Sequence, residues 1–156
     1  APSSRSTAAS AWATEGRSGT DGSEPIVESR HLSVVIRRDP REVAAFAGDP
    51  QRLPDWAAGL AAGEPRVYGD VLVVRSPMGQ VRVRFAPPND LGVLDHEVTL
   101  PDGTAVHNPL RVLPHPLGAE VIFTLRRLDG VTADAFEADA AAVAADLERL
   151  RALLEE

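Results

Sequence analysis

Over the last part of the chain, apolar positions recur at steps of four and three. Phe136, Ala140, Val143, Leu147, Leu150 and Leu154 fall on one stripe, the pattern of an amphipathic helix. Thr132 can cap its start, and Asp134 stands in the first turn, where the helix dipole favours negative charge. Asp129-Gly130 marks the turn before it. The spacing predicts one helix from Thr132 to about Leu154, and a stripe of that length needs a long apolar surface to cover it.

Upstream the period changes to two. Between Val27 and Arg37, the residues Leu32, Val34 and Ile36 alternate with His31, Ser33, Val35 and Arg37, which predicts a first strand. Asp39-Pro40-Arg41-Glu42 combines a cap, a proline suited to the first helical position and an acid three residues after the cap. A short helix through Val43 and Phe46 is expected, ending at Gly48. Asp49-Pro50 restarts a second helical turn that closes on Leu53-Pro54-Asp55-Trp56.

Hairpins follow. Gly69-Asp70 separates Pro65–Tyr68 from Val71–Ser76, and Pro77-Met78-Gly79 is the next turn. Val81, Val83 and Phe85 alternate with Arg82 and Arg84, so one face is expected to be buried and the other solvated. Leu94, His96, Val98 and Leu100 share a face, as do Val106, Asn108, Leu110 and Val112. Pro109 within that last run suggests an edge or a bulge. Val121, Phe123 and Leu125 form the final strand pattern. The fold class expected is α+β: a curved antiparallel sheet of about seven strands around the C-terminal helix, with two short helices after the first strand.

Residues 1–25 show no periodicity and are rich in Ser, Thr, Ala and Gly, so a disordered tail with an exposed Trp12 is expected. Residues 26–156 then make a single domain. Of the formal net charge of −7, a net of −5 falls on the last helix, where seven acids face Arg149 and Arg151. We expect a solvated acidic face there, which argues against a general nucleic-acid or anionic-membrane surface while leaving room for a local basic patch. Cysteine is absent, which excludes disulfides and thiol chemistry; lysine is absent too, which excludes a lysine Schiff base. No apolar run approaches the ~20 residues of a membrane span, and residue 1 onward shows no secretory signal core, so a cytoplasmic location without integral membrane association is expected.

The segments Ile36-Arg37-Arg38-Asp39-Pro40, Glu42-Val43, Asp49-Pro50 and Leu53-Pro54-Asp55-Trp56 come before the meander of strands. With the closing Asp146-Leu147-Glu148-Arg149-Leu150, they resemble the START-like, or SRPBCC, helix-grip superfamily and its polyketide cyclase/dehydrase-like branch. The resemblance covers roughly residues 28–156. It implies an apolar pocket between the sheet and the long helix, used in that superfamily for cyclisation or dehydration of polyketides, for carrying lipids or quinones, or in co-chaperones.

Chemistry would need polar residues on faces that should be apolar. His96 is in phase with Leu94, Val98 and Leu100 and is the candidate acid or base; a hydrogen-bonded core histidine is the plainer alternative. Asn108 could bind a ligand carbonyl or be a satisfied core amide. A register slip of one would turn His107 and Arg111 inward, where Arg111 would suit a carboxylate or enolate. Trp56, Met78, Phe85, Phe123 and Leu147 complete the expected ligand-binding set. Asp95 and Glu97 flank His96 and should turn to water, so the three cannot share a metal in regular strand geometry. No phosphate loop, dinucleotide fingerprint or nucleophile elbow is present, and no metal or cofactor is expected. The partner expected is a small hydrophobic molecule, held by a cyclase-like protein, a carrier or a sensor. A protein-interaction module is the third reading.

Overall fold

A computed structural model of the chain describes residues 28–77 and 79–156. The order is β1 (Glu28–Ile36), α1 (Pro40–Ala47), a 3-10 turn (Pro50–Arg52), α2 (Leu53–Trp56), β2 (Ala62–Tyr68), β3 (Val71–Ser76) and β4 (Gly79–Phe85). Then come β5 (His96–Thr99), β6 (Ala105–Asn108), β7 (Leu110–His115), β8 (Gly118–Arg127) and α3 (Ala133–Leu154). The tail, Trp12 and Met78 lie outside the described residues.

The caps act where the sequence puts them. The Asp39 carboxylate accepts the Arg41 N–H at 2.8 Å, and Asp49 accepts that of Gln51 at 3.0 Å. Thr132 Oγ1 accepts the Ala135 N–H at 3.1 Å and starts α3. Each satisfies a donor that the first helical turn leaves without an intrahelical partner.

The antiparallel strands fall into two sheets, β2-β3-β4-β5-β6 and β1-β8-β7. The expected single strand through Val106 and Val112 is split by Pro109: β6 pairs with β5, and β7 with β8. Proline has no N–H for the ladder and restricts the residue before it. The Pro109 carbonyl instead accepts the Thr124 N–H at 3.1 Å, which carries the chain from one sheet to the other. The segment before β5 makes the same transition. Leu94 N–H donates to the Leu110 carbonyl at 2.8 Å and Val93 bridges Arg111, so pairing with β7 precedes pairing with β4 and β6. Gly92 is needed at this junction. It has φ 73°, and a Cβ there would lie 2.1 Å from the Val112 carbonyl oxygen.

The long helix packs on β1, β8 and α2. Phe136, Ala140, Val143, Leu147, Leu150 and Leu154 are all buried. Its ends are fastened to β1 and the residues after it: Arg30 donates to both Glu137 carboxylate oxygens at 2.8 and 2.6 Å, and the Arg37 N–H donates to Glu155 at 2.9 Å. The charges on α3 are not all solvated as expected. Asp139 and Asp146 are each only 3% exposed. At ~100° per residue they fall beside Val143 and Leu150, on the flank of the stripe. Asp146 is 3.2 Å from Arg149, which also donates to the Trp56 carbonyl at 3.3 Å.

Candidate functional site

Two of the polar candidates, His96 and Asn108, meet Phe85 in one row at the end of β4, β5 and β6, on the β6 side of the larger sheet. Phe85 on β4 is the register partner of His96 on β5, and His96 is the partner of Asn108 on β6. Directly opposed residues of antiparallel strands share a face. The shared face here is the buried one: His96 is 1% exposed and Asn108 5%, while Phe85 is half-buried. The Phe85 and His96 ring centroids are 5.1 Å apart at a 43° tilt. Val83 and Val98 continue the same face as another buried register pair.

Burial sets the state of the imidazole. Loss of hydration pushes the His96 pKa down from 6.5 to about 4, only partly opposed by the hydrogen bond to Leu94. The ring is therefore neutral at pH 7. Its Nδ1 lies 3.1 Å from the Leu94 carbonyl oxygen, and a carbonyl only accepts. Nδ1 must carry the proton, which makes Nε2 the acceptor nitrogen.

Trp56, Phe123 and Leu147 are buried, each at 1% exposure or less. Phe123 is flanked in register by Leu32 and Leu110, and Leu147 belongs to the stripe of α3. Trp56 ends α2 against the long helix.

Arg111 does not turn inward. Leu110 and Val112 are the buried residues of β7, and Arg111 between them is exposed. Its guanidinium is taken by Asp95, with Nε at 2.8 Å and Nη2 at 2.7 Å. Asp95 in turn does not go to water as expected. Its side chain is 13% exposed, accepts the Leu110 N–H at 2.9 Å and has His107 Nε2 at 3.8 Å. These donors, Arg111 first, hold its carboxyl below the usual range. The pair ties the segment before β5 to the start of β7. Nothing in a strand alternation pattern could reveal it, because it forms where that alternation stops.

Asp139 and Asp146 are the polar residues of the interior that a charge count hides. Their seven-residue separation and their place beside the apolar stripe were the available signals. Among the described residues, no group of three or more His, Asp or Glu is placed to hold a metal ion. A half-open groove of about 1060 Å³ lies on the other face of the larger sheet, lined in part by Tyr68, Val73, Arg82 and Arg84.

No protein-family model and no curated protein sequence matches the chain. Solved structures do match in fold. The Aha1 dimer of Colwellia psychrerythraea aligns with a TM-score of 0.63 at 12% identity, over 84% of this chain and 97% of that one. Protein MLL2253 of Mesorhizobium loti aligns at 0.62 and 12% identity, over 81% and 96%. DynU16, from the dynemicin biosynthetic locus, aligns at 0.62 and 14% identity over 81% of this chain, which spans about half the length of DynU16. At these identities the likeness is one of fold alone, a helix-grip-like α+β architecture with a long C-terminal helix.

Proposed function

We propose that the protein binds a small hydrophobic or aromatic molecule between the inner face of the larger sheet and α3, beside the row Phe85, His96 and Asn108. The observation that carries this reading is the burial of a neutral imidazole and an amide, side by side in register, on a face that is otherwise apolar. An apolar site with a few placed polar groups is the usual make-up of a small-molecule pocket. His96 Nε2, as an acceptor, suits a ligand hydroxyl. Asn108 offers an amide that can donate to a carbonyl. Phe85, Phe123, Trp56 and Leu147 would supply apolar contact. The helix-grip fold and its occurrence in a biosynthetic-locus protein are compatible with this reading.

A cyclase or dehydratase activity of the polyketide type would use the same row, with His96 moving the proton. It is the less supported variant. A general base is most effective with a pKa near the working pH, and burial has taken His96 to about 4. A carrier or sensor of a quinone, lipid or aromatic polyketide needs only the hydrogen bonds.

A thermal-shift screen of aromatic polyketides, quinones and fatty acids tests the reading. A ligand at 100 times its dissociation constant should stabilise by ~2.7 kcal/mol. His96→Asn separates the variants. Weakened affinity for a hydroxylated ligand supports binding by hydrogen bond. Unchanged affinity with turnover reduced by ~10²–10⁴ would restore proton transfer. No stabilisation by any apolar ligand would turn the reading to a protein-interaction module.

A further inference from the structure

The outer face of the larger sheet carries a charge pattern at odds with the rest of the chain. Register places Arg66, Val73, Arg82 and Thr99 in one row across β2 to β5, and Tyr68, Val71, Arg84 and Glu97 in the next. Arg75 faces the same way, opposite Gln80. This face therefore holds four arginines in a chain of net charge −7. Asp70, 3.5 Å away, and Glu97, its register partner, offset Arg84. Among the described residues, no carboxylate oxygen lies within 4.0 Å of the charged nitrogens of Arg66, Arg75 or Arg82.

The groove of about 1060 Å³ runs over the part of these rows that holds Val73, Arg82 and Thr99 and, beside them, Tyr68, Val71, Arg84 and Glu97. Val71 and Val73 are half-buried in its floor, Leu100 is buried at its side, and Tyr68 stands at its edge, 60% exposed. Arg82 and Arg84 lie two residues apart on one strand face. That sets their Cα atoms roughly 7 Å apart, close to the spacing of alternate residues in an extended peptide. A site that encloses a small molecule buries most of its surface, which this half-open groove does not offer.

We propose that the groove is a docking site for an acidic peptide segment of a partner protein, with one carboxylate at Arg82, a second displacing Asp70 from Arg84, and an apolar residue against Val71 and Val73. Arginine clusters read acidic motifs through paired N–H donors, and the apolar floor supplies contact beside them. The site is independent of the inner row, since it uses the opposite face of β3 to β5.

The test is fluorescence anisotropy on the full chain with a fluorescein-labelled peptide, Gly-Glu-Leu-Glu-Phe-Glu-Gly, beside the same peptide with Gln for every Glu. The acidic peptide should bind, with the glutamine peptide and the Arg82→Gln/Arg84→Gln variant each weaker by about tenfold or more and with affinity falling as salt rises. Arg82→Glu/Arg84→Glu should lose the acidic peptide and gain one with Lys for Glu. Because all these side chains are exposed, melting temperatures should stay at the wild-type value. His96→Asn should leave peptide binding intact, which separates this claim from the ligand reading. Equal binding of the acidic and glutamine peptides, or unchanged affinity in both arginine variants, overturns the proposal. Tighter binding of a DNA oligonucleotide than of the acidic peptide would overturn it in favour of a nucleic-acid surface.

Discussion

Asp95 holds Arg111 by two parallel hydrogen bonds, to Nε at 2.8 Å and to Nη2 at 2.7 Å, across the junction of the two sheets. The same carboxylate receives the Leu110 N–H. The arginine is thereby engaged in holding the sheets together and is turned away from the interior.

Arg111→Ala should therefore act on stability. A partly exposed, bidentate pair of this kind contributes about 1–2 kcal/mol. Asp95→Ala should cost more than Arg111→Ala, because it also leaves the Leu110 N–H without its acceptor. Urea denaturation of both single variants and the double variant checks this. Equal losses, or an Arg111→Ala variant of wild-type stability with lost ligand affinity, would return Arg111 to the binding set.

This junction also marks the limit of what the sequence can tell. Thr132, Asp39 and Asp49 are caps whose effect is local, and the stripe from Phe136 to Leu154 repeats over many turns; such features are legible residue by residue. Alternation alone puts His96 and Asn108 on the inner face, and they are buried there. Pro109 marks an irregularity in the apparent strand, an edge or a bulge, but not its division between two sheets, because the partner of each half is set by tertiary pairing. Asp139 and Asp146 read as surface charge because composition counts charges without regard to the flank of the helix they occupy.

Leu147 is 1% exposed within the core stripe of α3. Leu147→Ala should cost ~2–5 kcal/mol, the range for deleting a buried leucine side chain. Thermal or denaturant unfolding measures it, and an unchanged midpoint would reject the packing of α3 on the sheet.

Gly92→Ala should destabilise by a few kcal/mol, since the added Cβ would need to move the Val112 backbone and to adopt a positive φ. Chemical denaturation of Gly92→Ala alongside Gly103→Ala makes the comparison. Gly103 also has a positive φ, but open space surrounds its Cβ position. Gly92→Ala should be clearly the worse, and equal losses would mean that φ alone decides.

His96 predicts a pH dependence whose sign follows from burial. Its folded pKa, about 4, lies below the ordinary 6.5. Between those values the unfolded chain takes up a proton that the folded chain refuses, so stability falls as pH falls from 6.5 to about 4 and then levels off for this group. The difference corresponds to at most ~3 kcal/mol. The stability of wild type measured against that of His96→Asn should fall as pH falls from 6.5 to about 4, because the asparagine does not titrate. Parallel curves across that range would show that His96 titrates normally.

An apolar ligand beside His96 should change the surroundings of its ring. Imidazole resonances in a ¹H–¹⁵N spectrum, recorded while the best ligand from the thermal screen is added, test it most directly. The His96 Nε2 signal should move with the binding curve, while the exposed His107 ring and the His115 ring stay in place. Saturable binding that leaves His96 unmoved would contradict it.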